Sequence, residues 1–346
     1  IWHGMETPYL DMFAWLDGKA DAPVIHSFQT FHPMMLSNPI DEEKDFSKMT
    51  PADFQAEWKW DGIRVQLAID DDSKKLYSRT GDDISKSFPD LTESLTGQGV
   101  LDGELLVGSD FNAASFNALQ QRLNRKTVDL KMIKDYPAFI RVYDILFDGE
   151  EDIRALPLSE RRQRLENWVK RNANAKLDIS PVLDFKDWEE LGEIRAHGAE
   201  DLDHEGIMIK RKDSSYIAGR PKGEWYKWKR NPCLIDAVLM YAQRGHGKRS
   251  SFYSDYTFGV WDKDQIVPVG KAYSGFTDQE LAKLDRWVRN NTIERFGPVR
   301  SVKFEMVFEV AFDSIHESAR HKSGVAMRFP RINRIRWDKP HTEADT

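Results

Sequence analysis

The chain has 346 residues, of which 40% are hydrophobic and 31% charged, with a formal net charge of -7. That length allows two or three compact domains, while apolar runs of only a few residues exclude a helical membrane span, which needs roughly 20, and no signal-peptide pattern opens the sequence. The lone Cys233 excludes an internal disulfide, no Cys/His cluster has zinc-site spacing, and a reducing, cytoplasmic location is expected.

Residues 1–45 carry Trp2, Pro8, Tyr9, Met12, Phe13 and Trp15, then His32 to Leu36, without a clean apolar period. A short helix followed by extended chain is predicted there. From 46 to 232 strands dominate. Ile63, Val65, Leu67 and Ile69 alternate with Arg64 and Gln66, the period of a half-buried strand. Further strand-like runs occupy Lys75 to Arg79, Val100 to Val107, Phe139 to Phe147, Gly206 to Lys210 and Trp225 to Arg230. Between them Phe116, Leu119 and Leu123 fall at helical spacing, and Leu158, Leu165, Trp168 and Val169 mark a second helix after Pro157. The expected class is α+β, with packed sheets and flanking helices.

After Pro232 shorter strands are predicted at Asp236 to Tyr241, Tyr256 to Trp261, Ile266 to Gly270 and Phe304 to Phe312. Thr277 and Glu280 have the spacing of a capping box ahead of Leu281, Leu284 and Val288, so one helix interrupts them. A small barrel with an inserted helix suits an OB-fold. Gln243 to Asp255, rich in Gly, Ser, Lys and Arg, reads either as a mobile basic loop against nucleic acid or as a solvated hairpin.

Charge divides at the same point. From Cys233 onward 18 Lys and Arg stand against 15 Asp and Glu, a net +3, and the preceding part holds 32 against 42, a net -10. Between Ser318 and Lys339 seven basic residues meet one acid, Asp338, a local patch suited to phosphates.

The chemistry centres on Glu57 Trp58 Lys59 Trp60 Asp61 Gly62 Ile63 Arg64. A lysine amine, with a reference pKa of about 10.4, is a poor nucleophile at neutral pH. A pocket shared with other cations lowers that pKa and frees the lone pair, so the surroundings of Lys59 suggest covalent catalysis. Further along come Leu101 Asp102 Gly103 Glu104, Val142 Tyr143 Asp144, Glu205 to Lys210, and Trp225 to Lys229, each in a strand-like run. A sixth element joins Arg328 Phe329 Pro330 Arg331 to Arg334 Ile335 Arg336 Trp337 Asp338 Lys339 Pro340.

In order and spacing these six segments resemble the motifs of ATP-dependent DNA ligases of the bacterial type. The resemblance implies a nucleotidyltransferase (adenylation) domain over 46–232, an OB-fold over 233–346, and in 1–45 the tail of an absent N-terminal DNA-binding domain. It implies ATP and Mg²⁺ as cofactors, with AMP carried covalently on Lys59, and nicked duplex DNA as partner of a monomer near the nucleoid. Lys227 and Lys229 would approach the α-phosphate and help lower the pKa of Lys59. Arg64 and Arg79 match positions that contact the ribose or the nicked-strand phosphate. Glu104 matches a ribose and metal position, Glu205 a metal-binding carboxylate, and Glu57 the position whose backbone reads the adenine amino group. Tyr143 falls where an aromatic stacks on adenine, and Trp225 resembles a second aromatic of that pocket; core packing is the competing account for both. Arg334, Arg336, Asp338 and Lys339 would grip pyrophosphate, which implies a moving domain hinged near Asn231 and Pro232. The rival readings are an mRNA-capping-like guanylyltransferase, which shares the lysine motif and the Arg336 Trp337 Asp338 Lys339 ending, and an inactive DNA-binding descendant of ligases.

Overall fold

The computed structural model describes residues 9–21, 30–70, 73–114, 116–123, 125, 127–198, 204–245, 247, 250–318 and 322–346. It divides into two units, Ile1–Arg230 and Asn231–Thr346, two residues from the change of pattern at Pro232. Trp2 and Pro8 of the lead segment, and residues 319–321 of the basic patch, lie outside the described residues. Among the described residues no helix is long and apolar enough to cross a membrane.

In chain order the first unit carries α1 (Leu10–Leu16), β1 (Asn38–Pro39), α2 (Glu42–Asp45), β2 (Phe54–Trp60), β3 (Ile63–Ile69) and β4 (Lys74–Ser78). There follow α3 (Pro89–Thr92), β5 (Gly99–Ser109), β6 (Asn112–Ala113), α4 (Phe116–Gln120), α5 (Leu130–Asp135), β7 (Ala138–Asp148) and β8 (Glu151–Asp152). The unit closes with α6 (Leu158–Arg171), β9 (Leu177–Ile179), β10 (Val182–Leu183), α7 (Trp188–His197), β11 (His204–Arg211) and β12 (Trp225–Lys229). One sheet has the order β1-β12-β11-β2-β10; the other runs β4-β3-β5-β7-β8, with β6 on β5 and β9 on β7.

Period-two alternation gives each sheet two chemically different faces. On the second sheet, Val65, Leu67, Leu101, Leu105, Ile140 and Val142 pack under Leu91, Leu119, Leu165 and Trp168 from the flanking helical segments. On the first, Phe54, Ala56, Ile207, Ile209 and Trp228 pack against Leu191 of α7. The other faces look toward each other. There Ala68, Val100, Leu146 and Phe147 meet Trp225, Met34 and Met35 in a smaller apolar cluster, and the remainder is polar. Residues 31–36 therefore contribute core to this unit, and Asn38 and Pro39 extend its sheet by parallel pairing with Tyr226 and Lys227. The sequence pattern, which sets 1–45 apart, does not show this attachment because it is made by tertiary contacts.

The second unit contains β13 (Cys233–Arg244), β14 (Tyr253–Asp262), β15 (Gln265–Ala272), α8 (Asp278–Asn290), β16 (Thr292–Phe296), β17 (Val299–Val302), β18 (Val307–Phe312), β19 (Ser314–Glu317), β20 (Val325–Arg328) and β21 (Arg331–Arg336). The long β13 changes partner along its length: Cys233–Val238 pairs with β18 and Tyr241–Gln243 with β17, so the sheet curls around one core. Leu284 and Val288 of α8 enter that core. The capping box forms as the sequence predicts, with the Thr277 side chain accepting from the Glu280 N–H and the Glu280 carboxylate from the Thr277 N–H. The expected loop from Gln243 to Asp255 is shorter in the structure. Gln243 and Arg244 finish β13 and pair with Asp255 and Tyr253, leaving only the connection between them, part of which lies outside the described residues.

Candidate active site

The polar inner faces of the two sheets converge on Lys59. In β2, Gln55, Glu57 and Lys59 share the inner side, and the Asp61–Gly62 turn carries the chain across to β3 in the opposite sheet. Gly62 is required there by space, since a Cβ would lie 2.4 Å from the Leu105 carbonyl oxygen and 2.8 Å from Glu104 Cγ. Glu205 reaches the same side through a bulge. The β11 register shifts between His204 and Ile207, and Gly206 sits at φ +137 with its Cα hydrogens facing the Trp228 carbonyl, where a Cβ would lie 2.3 Å away. The extra residue turns Glu205 inward with Met208 and Lys210, while His204 stacks outside on Trp58, ring centroids 4.0 Å apart.

Lys59 Nζ donates to Glu205 Oε1, and Lys229 Nζ donates to Glu205 Oε2 at 2.9 Å. Burial raises the Glu205 carboxyl pKa, but the two ammonium groups outweigh it and hold it below the usual carboxylate range. Lys229 is thus countered by Glu205 rather than standing as a bare cation beside Lys59. Lys227 is lowered below the usual ammonium range by burial and then by Arg220, Lys59, Lys229 and Arg79. Arg79 is exposed in the turn after β4 and enters the site through its charge. Glu104 lies opposite Arg64 in the β3–β5 ladder. Burial pushes its carboxyl up to about 7; Lys59 and Arg64 oppose the rise, and Asp102 and Glu205 add to it.

A second cluster forms an aromatic wall. Lys210 Nζ lies 4.4 Å from the Tyr143 ring centroid and 4.9 Å from that of Trp225, and it donates to Glu57 Oε1 at 2.8 Å. Gln55 donates to the same oxygen at 2.8 Å, and the buried Glu57 Oε2 has no hydrogen-bond partner among the described residues. Arg64 is held by Asp102 through Nε at 3.0 Å and Nη2 at 2.6 Å, and the Tyr216 hydroxyl donates to Asp102 at 2.7 Å. Its guanidinium lies 5.9 Å from the Tyr143 ring and 6.0 Å from the Trp225 ring. Trp225 is buried and Tyr143 half-buried.

Ten residues singled out in the sequence, Glu57, Lys59, Arg64, Arg79, Glu104, Tyr143, Glu205, Trp225, Lys227 and Lys229, therefore belong to the first unit, with Arg79 at its margin. Lys210, Asp102, Tyr216 and Gln55 join them and were not singled out. Lys210 and Asp102 stand inside quoted segments, and a charge on a strand otherwise reading as buried was their signal; Tyr216 comes from the loop before β12 and had none.

The remaining four form an ion-pair group in the second unit. Asp236 Oδ2 accepts from Lys339 at 2.7 Å and from Arg336 at 3.1 Å, Asp338 accepts from Arg336 at 3.1 and 3.0 Å, and Glu309 accepts from Arg334 at 3.1 Å. Asp236 and Glu309, not foreseen in the sequence, join Asp338 in holding the basic side chains in place.

The family model described as ATP dependent DNA ligase domain matches residues 34–229, more than half of the chain, and that described as ATP dependent DNA ligase C terminal region matches 249–339. The chain belongs to the ATP-dependent DNA ligase family. A probable DNA ligase of Koribacter versatilis is 37% identical over 342 residues, covering 91% of this chain and 59% of that protein. DNA ligase 1 of Korarchaeum cryptofilum is 34% identical over 298 residues, covering 84% and 54%. The chain thus spans little more than half the length of these ligases. Among solved structures, one from a study of Lig E DNA ligases superposes with a TM-score of 0.62 at 16% identity, covering 88% of this chain and 100% of that one. The fold is that of the ligase family, a nucleotidyltransferase unit with an OB-fold C-terminal unit.

Proposed function

We propose that this chain is the catalytic core of an ATP-dependent ligase that seals nicks in duplex DNA. The observation that carries the reading is the convergence of Lys59, Lys227, Lys229, Glu104 and Glu205 on facing polar sheet surfaces, beside a half-open aromatic wall. Lys59 Nζ attacks the α-phosphorus of ATP, an N–P bond forms, the bond to the β-phosphate oxygen breaks, and pyrophosphate leaves. A 5′ phosphate oxygen of the nick then displaces the lysine and takes the adenylate, and the 3′ hydroxyl finally displaces AMP to form the phosphodiester.

Attack requires the neutral amine, so the Lys59–Glu205 pair is a resting arrangement from which the proton must depart. Lys227 and Lys229 supply positive charge where the phosphates gather, the electrostatic contribution on which phosphoryl transfer mainly depends. Tyr143 offers its ring to adenine, and Glu57 stands where its backbone would read the adenine amino group. Arg64 and Arg79 serve the ribose and the DNA phosphate, and Arg334, Arg336, Asp338 and Lys339 the pyrophosphate.

Glu104 and Glu205 fit Mg²⁺, a hard cation bound through one or two carboxylates with phosphates and waters completing its shell. Burial is the main reason the Glu104 carboxyl is raised, with Asp102 and Glu205 adding to it, and a bound cation would offset that negative charge. When bound it neutralises charge on the phosphates.

The test is intact-mass measurement after incubation with ATP and magnesium, followed by sealing of a labelled nicked duplex. The unmodified protein is expected to gain one AMP and Lys59→Ala none, with its melting temperature retained. A Lys59→Ala protein that still gains AMP removes the assignment.

A further inference from the structure

Two buried carboxylates, Asp102 of β5 and Asp144 of β7, stand directly opposite one another in the ladder between those strands. Like charges so placed repel, and each has its own arginine. Arg161 of α6 takes Asp144 by Nε and Nη2, both at 2.9 Å, as Arg64 takes Asp102. Tyr216, in the loop between β11 and β12, touches both pairs. Its ring centroid is 5.8 Å from the Arg161 guanidinium carbon, and its hydroxyl meets both members of the Arg64–Asp102 pair.

That hydroxyl donates to Asp102 Oδ2 at 2.7 Å and accepts from Arg64 Nη2 at 3.3 Å, closing a triangle with the 2.6 Å bond from Nη2 to the same oxygen. Burial, and then the negative charge of Asp102, push the phenol well above its usual range, so it stays a donor. Its own place is fixed from three sides. Arg161 Nη1 donates to the Ser214 carbonyl at 2.8 Å, the Tyr216 N–H donates to the Arg154 carbonyl at 2.8 Å, and the ring meets Trp225 edge to face with centroids 5.9 Å apart. Of the five N–H donors of Arg64, those on Nε and Nη2 are committed to Asp102 and Tyr216, which leaves Nη1 for a ligand. Charge balance does not require Tyr216, because the bidentate arginine already neutralises Asp102. The hydroxyl adds a further fixed point, which stops the guanidinium from swinging about the carboxylate.

We propose that Tyr216 is a positioning residue for the transfer of AMP to Lys59, acting on Arg64 both directly and through Asp102 to hold its guanidinium in the one orientation that meets the sugar-phosphate part of ATP; this role rests on the reading of the pocket as the ATP site. Arg64 lies 5.9 Å from the Tyr143 ring and faces Glu104 across the β3–β5 ladder, so a nucleotide that reaches from the aromatic wall to the carboxylates passes it. Misplacing a contact by about 1 Å costs about 100-fold in rate. With the hydroxyl gone, Asp102 still restrains Arg64, so a smaller loss follows.

The experiment is a double-mutant cycle read as the rate at which the chain gains AMP, followed by intact mass at saturating ATP with magnesium. It compares the unmodified chain, Tyr216→Phe, Arg64→Lys and the two changes together, each checked by thermal melting. Tyr216→Phe keeps the ring and is expected to slow the gain about tenfold. In the Arg64→Lys background no fork remains to be oriented, and the same change is expected to slow the gain by less than about twofold further. A purely structural hydroxyl lowers the melting temperature and gives one factor in both backgrounds. Equal factors, an unchanged rate in Tyr216→Phe or in Arg64→Lys, or a Tyr216→Phe chain that does not fold each overturn the proposal while the ligase reading stands. Should Arg64→Lys not fold, Asp102→Asn provides the second background with the same expectation. If the unmodified chain gains no AMP, the ligase reading falls and the role of Tyr216 with it.

Discussion

Glu104 is a carboxyl held far from its free chemistry. Burial pushes it up to about 7, above the ordinary 4.5, so the folded state favours the protonated carboxyl. The stability this gives is complete below about pH 4.5 and is lost as pH rises through 7. Glu104→Gln removes the loss, and its melting temperature should gain on the unmodified protein between pH 5 and 7 and then level off. Discounted for partial exposure, the gain is on the order of 2 kcal/mol; differential scanning fluorimetry across pH without nucleotide measures it, and a pH-independent difference would contradict the shift. Lys210 makes a different case. It and Glu57 are almost wholly buried, so Lys210→Met leaves an uncompensated carboxylate and should cost about 3–5 kcal/mol in urea denaturation. Lys59, Glu104 and Glu205 were legible because each stands in one of the ordered segments that carry the family resemblance. The sequence's silence about Tyr216, and about Asp236 as the partner of Arg336 and Lys339, has one cause: those contacts join segments far apart in the chain and leave no local trace.

At the scale of elements, β11 shows how a strand can serve two faces. Without the bulge at Gly206, strict alternation would send Glu205 outward against Trp58 and bring His204 in. Gly206→Ala meets both a left-handed φ of +137 and a carbonyl at 2.3 Å, so it should destabilise by about 2–4 kcal/mol and sharply reduce adenylylation. Circular-dichroism melts and intact mass report the two effects, and a variant losing neither would mean that the bulge does not orient Glu205. Most long strands, and the helices after Pro157 and Thr277, could be read from period, proline and capping residues. The helix α7 escaped because Leu191 is its one buried side chain among acids, too weak a period to detect. β1, β9 and β10, of two or three residues, escaped because strands that short carry no period at all.

For the whole molecule, the division near residue 231 was visible in the change of charge sign, whereas the expected shortening of strands was wrong, since β13 and β14 run to 12 and 10 residues. The start of the first unit was not. β1 hydrogen-bonds the outer edge of β12, the strand that bears Lys227 and Lys229, and Met34 and Met35 fill the core beside it. Trimming the chain back to Lys44 would uncover that edge and empty part of the core. Leucine- or methionine-sized gaps cost about 2–5 kcal/mol each, so the trimmed protein should melt well below one cut at Gly18, and light scattering should show it aggregating. An unsheathed strand edge recruits other strands. Anyone shortening this chain is therefore bound by a dipeptide, Asn38 and Pro39, that acts as a selvedge: cut inside it and the weave holding Lys227 and Lys229 begins to unravel.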